Sequence, residues 1–245
     1  MSSTPVVLIT GASRGIGAAT AIYFARHGYD VCINYKTNQR SAEKIALQVR
    51  GFGVKAEIVQ ADVSEETQVL TLFTKVDELF GKLDVLINNA GILKPQMPLL
   101  EMDATRINEV LTTNVTSAFL CSREAVKRMT NGGSIVNVSS GAAKTGSPNE
   151  YIDYAASKGA MDTLTIGLAK EVAMLNIRVN SVRPGLIYTE MHRDGGEANR
   201  VDRLKDKLPL ARGGQPEEVA AAIYFLASEQ ASFTTASFID VAGGL

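Results

Sequence analysis

The chain has 245 residues, 45% of them hydrophobic, and a formal charge of -1, a balance that gives no reason to expect nucleic acid or an anionic membrane as a partner. Its two cysteines, Cys32 and Cys121, lie far apart in apolar segments, which excludes a disulfide framework and a metal-ligand cluster and favours a reducing compartment. No apolar run reaches membrane-spanning length and no signal peptide is recognised, so the cytoplasm is the expected location.

The first predicted element is a short apolar strand over residues 6–9, of the kind that is buried on both faces of a parallel sheet. A turn with the spacing G-x-x-x-G-x-G follows at once, formed by Gly11, Gly15 and Gly17, and a helical pattern continues to Gly28. Such glycines let the backbone approach a pyrophosphate, whose charge the helix N-terminus stabilises. The alternative is a turn that merely needs glycines, but the order of strand, turn and helix favours dinucleotide binding.

The second predicted strand, residues 31–35, bears on the choice of cofactor. An acidic residue near the end of this strand usually binds the ribose 2′-hydroxyl of NAD. Residues 32–40 contain no Asp or Glu, whereas Lys36 and Arg14 offer positive charge for a 2′-phosphate. We therefore expect NADP to be preferred, with NAD as the alternative. The other reading of Lys36 is an ordinary solvated surface base.

Strand and helix continue to alternate along the first half of the chain. A helix is predicted over residues 41–50, a strand over 56–60, a helix capped by Ser64, and a strand over 83–87. The turn at residues 88–91, Asn-Asn-Ala-Gly, has short side chains that let the backbone come close to a flat ligand. This alternation predicts an α/β fold with a doubly wound, Rossmann-type parallel sheet flanked by helices.

The next segment carries the candidate catalytic side chains. One long helix is predicted over residues 103–129 with Asn114 in its middle, where asparagine is unfavourable unless it is exposed or has a function. A strand over 134–139 ends at Ser140, at the carboxyl edge where open α/β sheets bind ligands. A further helix bears Tyr154 and Lys158.

The last part of the chain completes the sheet. A strand over 177–182 stops at Pro184-Gly185, and Pro216 opens a final helix before a seventh strand over 237–241. Residues 186–212 lack clear periodicity and are interpreted as a mobile, substrate-binding loop. No repeat or linker interrupts the pattern, so residues 1–245 are predicted to form a single domain.

Tyr154 and Lys158 are four residues apart, which places them on one face of a helix. A free phenol, with a pKa of about 10, exchanges protons poorly at neutral pH. An ammonium one turn away favours the phenolate, so we expect Lys158 to lower the pKa of Tyr154 toward the range where acid–base catalysis is efficient. By itself the pair could be two helix residues with no joint task.

Together these motifs resemble the short-chain dehydrogenase/reductase family, in its form of roughly 250 residues with T-G-x-x-x-G-x-G and Y-x-x-x-K motifs. The matches occur in order along the whole chain. They comprise Thr10 and the three glycines that follow it, Asp62, residues 88–91, Asn114, Ser140, Tyr154, Lys158, Pro184-Gly185 and residues 212–220.

The resemblance implies a role for each matching residue. Tyr154 would exchange a proton with the substrate oxygen, and Lys158 would lower its pKa and hold the nicotinamide ribose. Ser140 would position the substrate oxygen, and Asn114 would interrupt its helix to hold a water connected to Lys158. The residues expected to contact the cofactor are Gly11, Ser13, Arg14, Gly15, Ile16, Gly17, Asn34, Tyr35, Lys36, Asp62, Val63, Asn89, Ala90, Gly91, Tyr154, Lys158, Pro184, Gly185, Ile187 and Thr189.

The resemblance also implies an NADP-dependent oxidoreductase that acts on a small carbonyl compound or secondary alcohol, assembled as a homotetramer. Ser140 is preferred to Ser139 because adjacent side chains of a strand point to opposite faces. Tyr151 is expected to line the substrate pocket, and His192 to be exposed on its loop.

Two other functions are possible on the same residues: a sensor that binds NADP(H) without catalysis, and a non-redox lyase that uses the Ser–Tyr pair. An acyl thioester, a steroid, a sugar and a small ketone all stay open as substrates.

Overall fold

A seven-stranded parallel sheet in the order β3-β2-β1-β4-β5-β6-β7 forms the centre of the computed structural model, which describes residues 4–245. This arrangement confirms the predicted doubly wound sheet. The order reverses at the β1–β4 pair, which places a ligand-binding crevice beyond the carboxyl ends of these strands. The strands are β1 (Val6–Ile9), β2 (Asp30–Tyr35), β3 (Ala56–Gln60), β4 (Val85–Asn88), β5 (Gly133–Val138), β6 (Ile177–Pro184) and β7 (Phe238–Val241).

Helices cover both faces of the sheet. They are α1 (Gly15–Arg26), α2 (Gln39–Arg50), α3 (Glu66–Phe80), α4 (Ala104–Leu111), α5 (Ser117–Arg128), α6 (Ala142–Thr145), α7 (Ile152–Val172), α8 (Met191–Asp194), α9 (Arg200–Leu204) and α10 (Pro216–Ala227). None of the helices within residues 4–245 combines the length and the apolar character needed to cross a bilayer.

The alternation of side chains along each strand divides the core into two layers. In β1, Val7 and Ile9 pack in one cluster with Phe24 of α1 and with residues of α2 and α10. Leu8 points the other way and packs with Phe73 of α3 and with residues of α5 and α7. Because β1 is buried on both faces, a continuous apolar run is the pattern that this strand requires.

The helix predicted over residues 103–129 is not continuous. It consists of α4, a π-helical turn at Thr112–Thr116 and α5. The fully buried Asn114 lies in that turn. Its Oδ1 atom accepts a hydrogen bond from the Ile92 N–H at 2.7 Å, and its Nδ2 donates to the Ile92 carbonyl at 3.1 Å. A side chain bonded outside its own helix explains why the regular winding is interrupted here.

Residues 186–212 contain more regular structure than the sequence indicated. Helices α8 and α9 and a 3₁₀ turn at Lys205–Lys207 fall within this segment. Each helix is only four or five residues long, so neither can display a helical repeat that a sequence pattern would reveal. The Tyr188 N–H also donates a hydrogen bond of 3.0 Å to the carbonyl of Gly214, which ties the start of the segment to the residues just beyond its end.

Candidate active site

A cleft of about 870 Å³ lies at the carboxyl edge of the sheet, where the strand order reverses. Most of the residues predicted to contact a cofactor or substrate line it, including those contributed by residues 186–212. Those lining residues are Gly11, Ser13, Arg14, Gly15, Ile16, Asn34, Lys36, Asp62, Val63, Asn89, Ala90, Gly91, Ser140, Tyr154, Lys158, Pro184, Gly185, Ile187 and Thr189.

Three predicted residues do not line the cleft. Tyr35 is buried in the core layer formed with α1 and α2, so it supports β2 rather than facing a ligand. Asn114 lies behind the cleft wall, and Gly17 lies beneath the glycine-rich turn. A sequence motif identifies such neighbours of a site without distinguishing the residues that face the ligand from those that support them.

The glycine-rich turn is shaped by close backbone contacts. Gly11 and Gly15 have φ values of +62° and +55°, in the region that favours glycine. A Cβ atom on Gly17 would lie 2.5 Å from Asn89 Nδ2 and 2.8 Å from the Gly11 carbonyl oxygen, which leaves no space for a side chain. The turn therefore forms a cradle of bare backbone at the start of α1, as a dinucleotide pyrophosphate requires.

The turn after β4 holds the glycine-rich turn in place. Asn89 Nδ2 donates to the Thr10 carbonyl at 2.9 Å and to the Gly11 carbonyl at 3.1 Å. In return, Thr10 Oγ1 accepts hydrogen bonds from the N–H groups of Asn89 and Ala90, each at 3.0 Å. These reciprocal bonds join β1 to β4, so the Asn-Asn-Ala-Gly segment supports the cradle as well as lining it.

Asn34 performs a similar supporting function on the other side. Its Oδ1 accepts the Gly11 N–H at 3.2 Å, and its Nδ2 donates to the carbonyls of Val59 and Ala61 at 3.3 and 3.1 Å. The side chain is buried, and its polar atoms are satisfied by β3 and the glycine-rich turn. Asn34 therefore fixes the position of the cradle relative to the end of β3.

Both cations predicted to favour NADP are paired with carboxylates. Lys36 Nζ lies 2.6 Å from Asp62 Oδ2, and Arg14 Nη2 lies 2.5 Å from Asp194 Oδ2 in α8. The contact with Lys36, together with hydrogen bonds from Ser64, holds the pKa of the Asp62 carboxyl below its usual range despite partial burial. Sequence alone suggested free positive charge here, and the structure shows charge that is partly neutralised.

Ser140 and Ser139 point in opposite directions. Ser139 Oγ is buried and donates to the Lys158 carbonyl at 3.1 Å. Ser140 Oγ accepts the Ala142 N–H at 3.1 Å and is hydrogen-bonded to the Tyr154 phenol, which counteracts the rise in the phenol's pKa. The geometry thus separates Ser139, which bonds the backbone of α7, from Ser140, which faces the Tyr154 phenol.

Burial sets the ionisation of Tyr154 and Lys158. Desolvation raises the pKa of Tyr154 to about 12, although the hydrogen bond from Ser140 opposes this rise. Desolvation lowers the pKa of Lys158 to about 8, opposed by the negative charge of Asp162 one turn along α7. The expected lowering of the Tyr154 pKa is therefore not met, because desolvation of the phenolate outweighs the help that it receives.

Residues from four segments enclose the other end of the cleft. Tyr151, predicted to line a substrate pocket, does line the cleft, and its hydroxyl donates to the Gly195 carbonyl at 3.3 Å. Arg200 of α9 lies over the Tyr151 ring and donates from Nη1 to Glu150 and to Glu197, each at 3.1 Å. Gln96 Nε2 also donates to Glu197 at 2.6 Å. This ionic network was not predicted, because its members are spread over a hundred residues.

His192 is half-buried and lines the cleft, contrary to the exposed position expected for it. Its Nε2 lies 3.0 Å from the Ile187 carbonyl oxygen, which can only accept, so Nε2 carries the proton. Nδ1 is buried without a hydrogen-bond partner. Burial lowers the pKa of His192, and the positive charge of Arg200 lowers it further.

Comparison with known proteins gives consistent results over the full chain. Residues 11–245 match the family described as enoyl-(acyl carrier protein) reductase. The chain is 56% identical to an uncharacterized oxidoreductase, YgfF, of Escherichia coli K12 over 98% of its length and 99% of that protein's. It is 36% identical to the 3-oxoacyl-[acyl-carrier-protein] reductase FabG of Staphylococcus aureus, over 100% of this chain and 99% of FabG. The structure of NAD⁺-bound xylitol dehydrogenase matches with a TM-score of 0.90 and 33% identity, over 98% of each chain.

Proposed function

The chain belongs to the short-chain dehydrogenase/reductase family and is an NAD(P)-dependent oxidoreductase, and from this premise we propose that it interconverts a carbonyl compound and a secondary alcohol with NADP(H) as the preferred cofactor. The observation that carries the proposal is that Ser140, Tyr154 and Lys158 line the same cleft as the glycine-rich turn. A proton-transfer group and a dinucleotide cradle in one cleft are what this reaction needs.

The residues present fit a dinucleotide cofactor. Gly11, Gly15 and Gly17 provide a cradle that a Cβ would fill or strain, and Asn89 and Asn34 brace it from both sides. When bound, the nicotinamide supplies or accepts the hydride, and the protein contributes orientation and a proton.

Proton transfer is assigned to Tyr154. A pKa of about 12 keeps the phenol neutral at neutral pH, so it can donate its proton to the carbonyl oxygen during reduction. Ser140, hydrogen-bonded to the phenol, would hold the substrate oxygen at the same point. Lys158 is charged below a pKa of about 8, and its ammonium would orient the ribose of the cofactor and favour release of the phenolic proton. A protonated Tyr154 phenol beside a charged Lys158 ammonium supports catalysis in the direction of carbonyl reduction.

The choice of NADP rests on charge at the adenine end of the cleft. No acidic residue follows β2 within residues 32–40, and Lys36 and Arg14 line the cleft there. Their pairing with Asp62 and Asp194 reduces the positive charge available to a 2′-phosphate, so NAD is kept as the alternative. The similarity to an NAD⁺-bound xylitol dehydrogenase supports that alternative.

Two other functions compete with this proposal. A sensor that binds NADP(H) would not need an acid–base group, so the cluster of Ser140, Tyr154 and Lys158 argues against it. A non-redox lyase using the Ser–Tyr pair would not need the glycine cradle, which is intact. The relatives named for acyl-carrier-protein and xylitol chemistry suggest acyl thioesters and polyols as first substrates to test.

We propose further that the protein acts in the cytoplasm as a homotetramer. Cys32 and Cys121 are buried free thiols, and burial raises the pKa of each to about 12, which suits a reducing compartment. Phe119 of α5 and Ile166 of α7 are large apolar side chains exposed on helices that the family resemblance assigns to a subunit interface. Sedimentation equilibrium measures the assembly directly, and a monomer would remove this part of the proposal.

The decisive experiment is a titration with NADPH and NADH followed by nicotinamide fluorescence, with a panel of ketones, diketones, sugars and acyl thioesters then added. Tighter binding of NADPH and oxidation in the presence of a carbonyl compound support the proposal. Lys36→Ala should weaken the binding of NADPH without weakening the binding of NADH. The control is Lys75→Ala, at a lysine paired with Glu78 on α3, which should change the affinity for neither cofactor. Tight NADPH binding without turnover on any substrate would favour the sensor.

A further inference from the structure

A buried ion pair joins α4 to the first turn of α7. Arg106 Nε donates to Asp153 Oδ2 at 2.8 Å, and the two side chains are only 10% and 2% exposed. Arg106 Nη1 also donates to the Pro95 carbonyl at 2.7 Å. Neither Arg106 nor Asp153 lines the cleft, so the pair does not touch a cofactor or a substrate there.

The second oxygen of Asp153 connects the pair to the reactive phenol. Asp153 Oδ1 accepts the backbone N–H of Tyr154 at 2.9 Å. Tyr154 is the third residue of α7, and N–H groups in the first turn of a helix have no partner within the helix. The residue that precedes α7, Tyr151, makes no side-chain cap. Asp153 therefore supplies an acceptor for an N–H group that the helix leaves unbonded.

The same ion pair orients the loop on the substrate side. Arg106 connects the Pro95 carbonyl to α7. In the residues that follow Pro95, the Gln96 side chain donates to Glu197 and the Met97 N–H donates to the Glu150 carbonyl. The start of α7 is thus held from both sides, by α4 through Arg106 and by the segment that encloses the cleft.

We propose that Arg106 and Asp153 are positioning residues for Tyr154, fixing the first turn of α7 so that the phenol meets the substrate oxygen held by Ser140. The inference rests on the proposed function, in which Tyr154 transfers the proton. A buried pair of this kind gives little net stability compared with apolar residues, whereas removing one partner leaves an unpaired buried charge. A role in orientation therefore accounts for its presence better than a role in stability.

Stability and turnover can be separated with a double variant. Arg106→Met and Asp153→Leu, each alone, leave one buried charge unpaired and should destabilise the fold. Combined, they replace the pair with apolar side chains, and the unfolding midpoint should return close to that of the parent protein. In the double variant kcat should stay at least about tenfold lower, because small displacements of a reacting group are costly, while KM and the NADPH Kd change less than about threefold.

The conservative substitution Asp153→Asn provides an independent test, based on the rank order of kcat among the variants. Asp153→Asn keeps an oxygen that can accept the Tyr154 N–H, so its kcat should lie between those of the parent protein and Asp153→Leu. Hydrogen exchange at the Tyr154 amide should accelerate in Asp153→Leu and much less in Asp153→Asn, a measurement that needs no substrate. As a matched control, Arg128→Met breaks another pair between helices, with Asp77, and should lower stability with kcat unchanged.

The inference is overturned if the double variant recovers kcat together with stability, or if the Tyr154 amide exchanges at the parent rate in Asp153→Leu. Tyr154→Phe, measured in parallel, separates this failure from failure of the proposed function. An inactive Tyr154→Phe beside a fully active double variant removes only the positioning role. An active Tyr154→Phe removes the proposed proton transfer and the positioning role with it.

Discussion

Lys158 places its Nζ atom 5.5 Å from the centre of the Tyr154 ring and not in a bond with the phenol oxygen. Lys158 Nζ instead donates a hydrogen bond to the Val138 carbonyl at the end of β5, at 2.8 Å. The ammonium is thereby held over the face of the ring, while burial keeps the phenol protonated with a pKa of about 12. The Tyr154 phenol is therefore a neutral acid that lies beside the Lys158 cation.

The charge on Lys158 gives a pH dependence for carbonyl reduction. Its pKa of about 8 means that the ammonium is present at neutral pH and is lost as pH rises through that value. We expect kcat/KM for reduction to fall on the alkaline side of pH 8, and Lys158→Met to lower kcat/KM by at least about 100-fold. Initial rates measured from neutral to alkaline pH test this. A rate that keeps rising beyond that point would contradict the role of the ammonium.

The two adjacent serines should respond differently to the same substitution. Ser140→Ala removes the hydrogen bond to the phenol and should lower kcat/KM by about 10- to 100-fold. Ser139→Ala removes only the bond to the Lys158 carbonyl, so it should cost about 1 kcal/mol of stability and leave kcat/KM within a few-fold. Steady-state kinetics combined with chemical denaturation distinguish the two, and the reverse ranking would assign the substrate contact to Ser139 instead of Ser140.

Gly17→Ala tests the cradle. The added Cβ would meet the Gly11 carbonyl oxygen at 2.8 Å and Ala12 Cα at 2.9 Å, so the turn must move. We expect lower stability and an NADPH Kd raised by at least about tenfold, a change of about 1.4 kcal/mol. Gly81→Ala is the control: its φ of +72° costs about 1–2 kcal/mol in strain, but nothing lies within 4 Å of the added atom, and NADPH affinity should not change.

His192 should make the folded state sensitive to mild acid. Its pKa in the folded protein is lowered by burial, so the unfolded chain, with a histidine pKa of about 6.5, binds more protons. The free energy of unfolding should therefore decrease as pH falls below about 6.5, above the range where unfolded carboxyl groups titrate. Denaturation of His192→Gln, which can still donate to the Ile187 carbonyl, should show a flatter dependence in this window. An unchanged slope in His192→Gln would contradict the assignment.

The sequence predicted those elements whose signals are local. Apolar runs such as residues 6–9 and 134–139 identified the strands, and the turn after β1 identified the family, because backbone requirements at Gly11 and Gly15 leave a fixed spacing. The sheet and its α/β order are confirmed. The family resemblance implied that Asn114 interrupts its helix, but the π-helical form depends on Ile92, which is distant in sequence.

What the sequence did not reveal depends on contacts between remote segments. The partners of Arg14 and Lys36, the buried position of Tyr35 and the raised pKa of Tyr154 all arise from packing that no local pattern records. The Arg106–Asp153 pair was missed for the same reason, since 47 residues separate its members. The sequence of residues 186–212 indicated a mobile loop, because the helices in this segment are too short to show a helical repeat.

The pairing of β1 with β4 joins strands separated by three helices and two other strands, and the two turns that form the cradle follow these strands directly. The chain must therefore close a long loop before any cradle exists, which makes this pairing a slow event in folding. A dinucleotide that recognises only the completed cradle has nothing to bind at earlier stages. Added to a refolding reaction, it should leave the rate of sheet formation unchanged and slow the rate of unfolding, so that the cofactor prolongs the lifetime of the native protein without guiding its assembly.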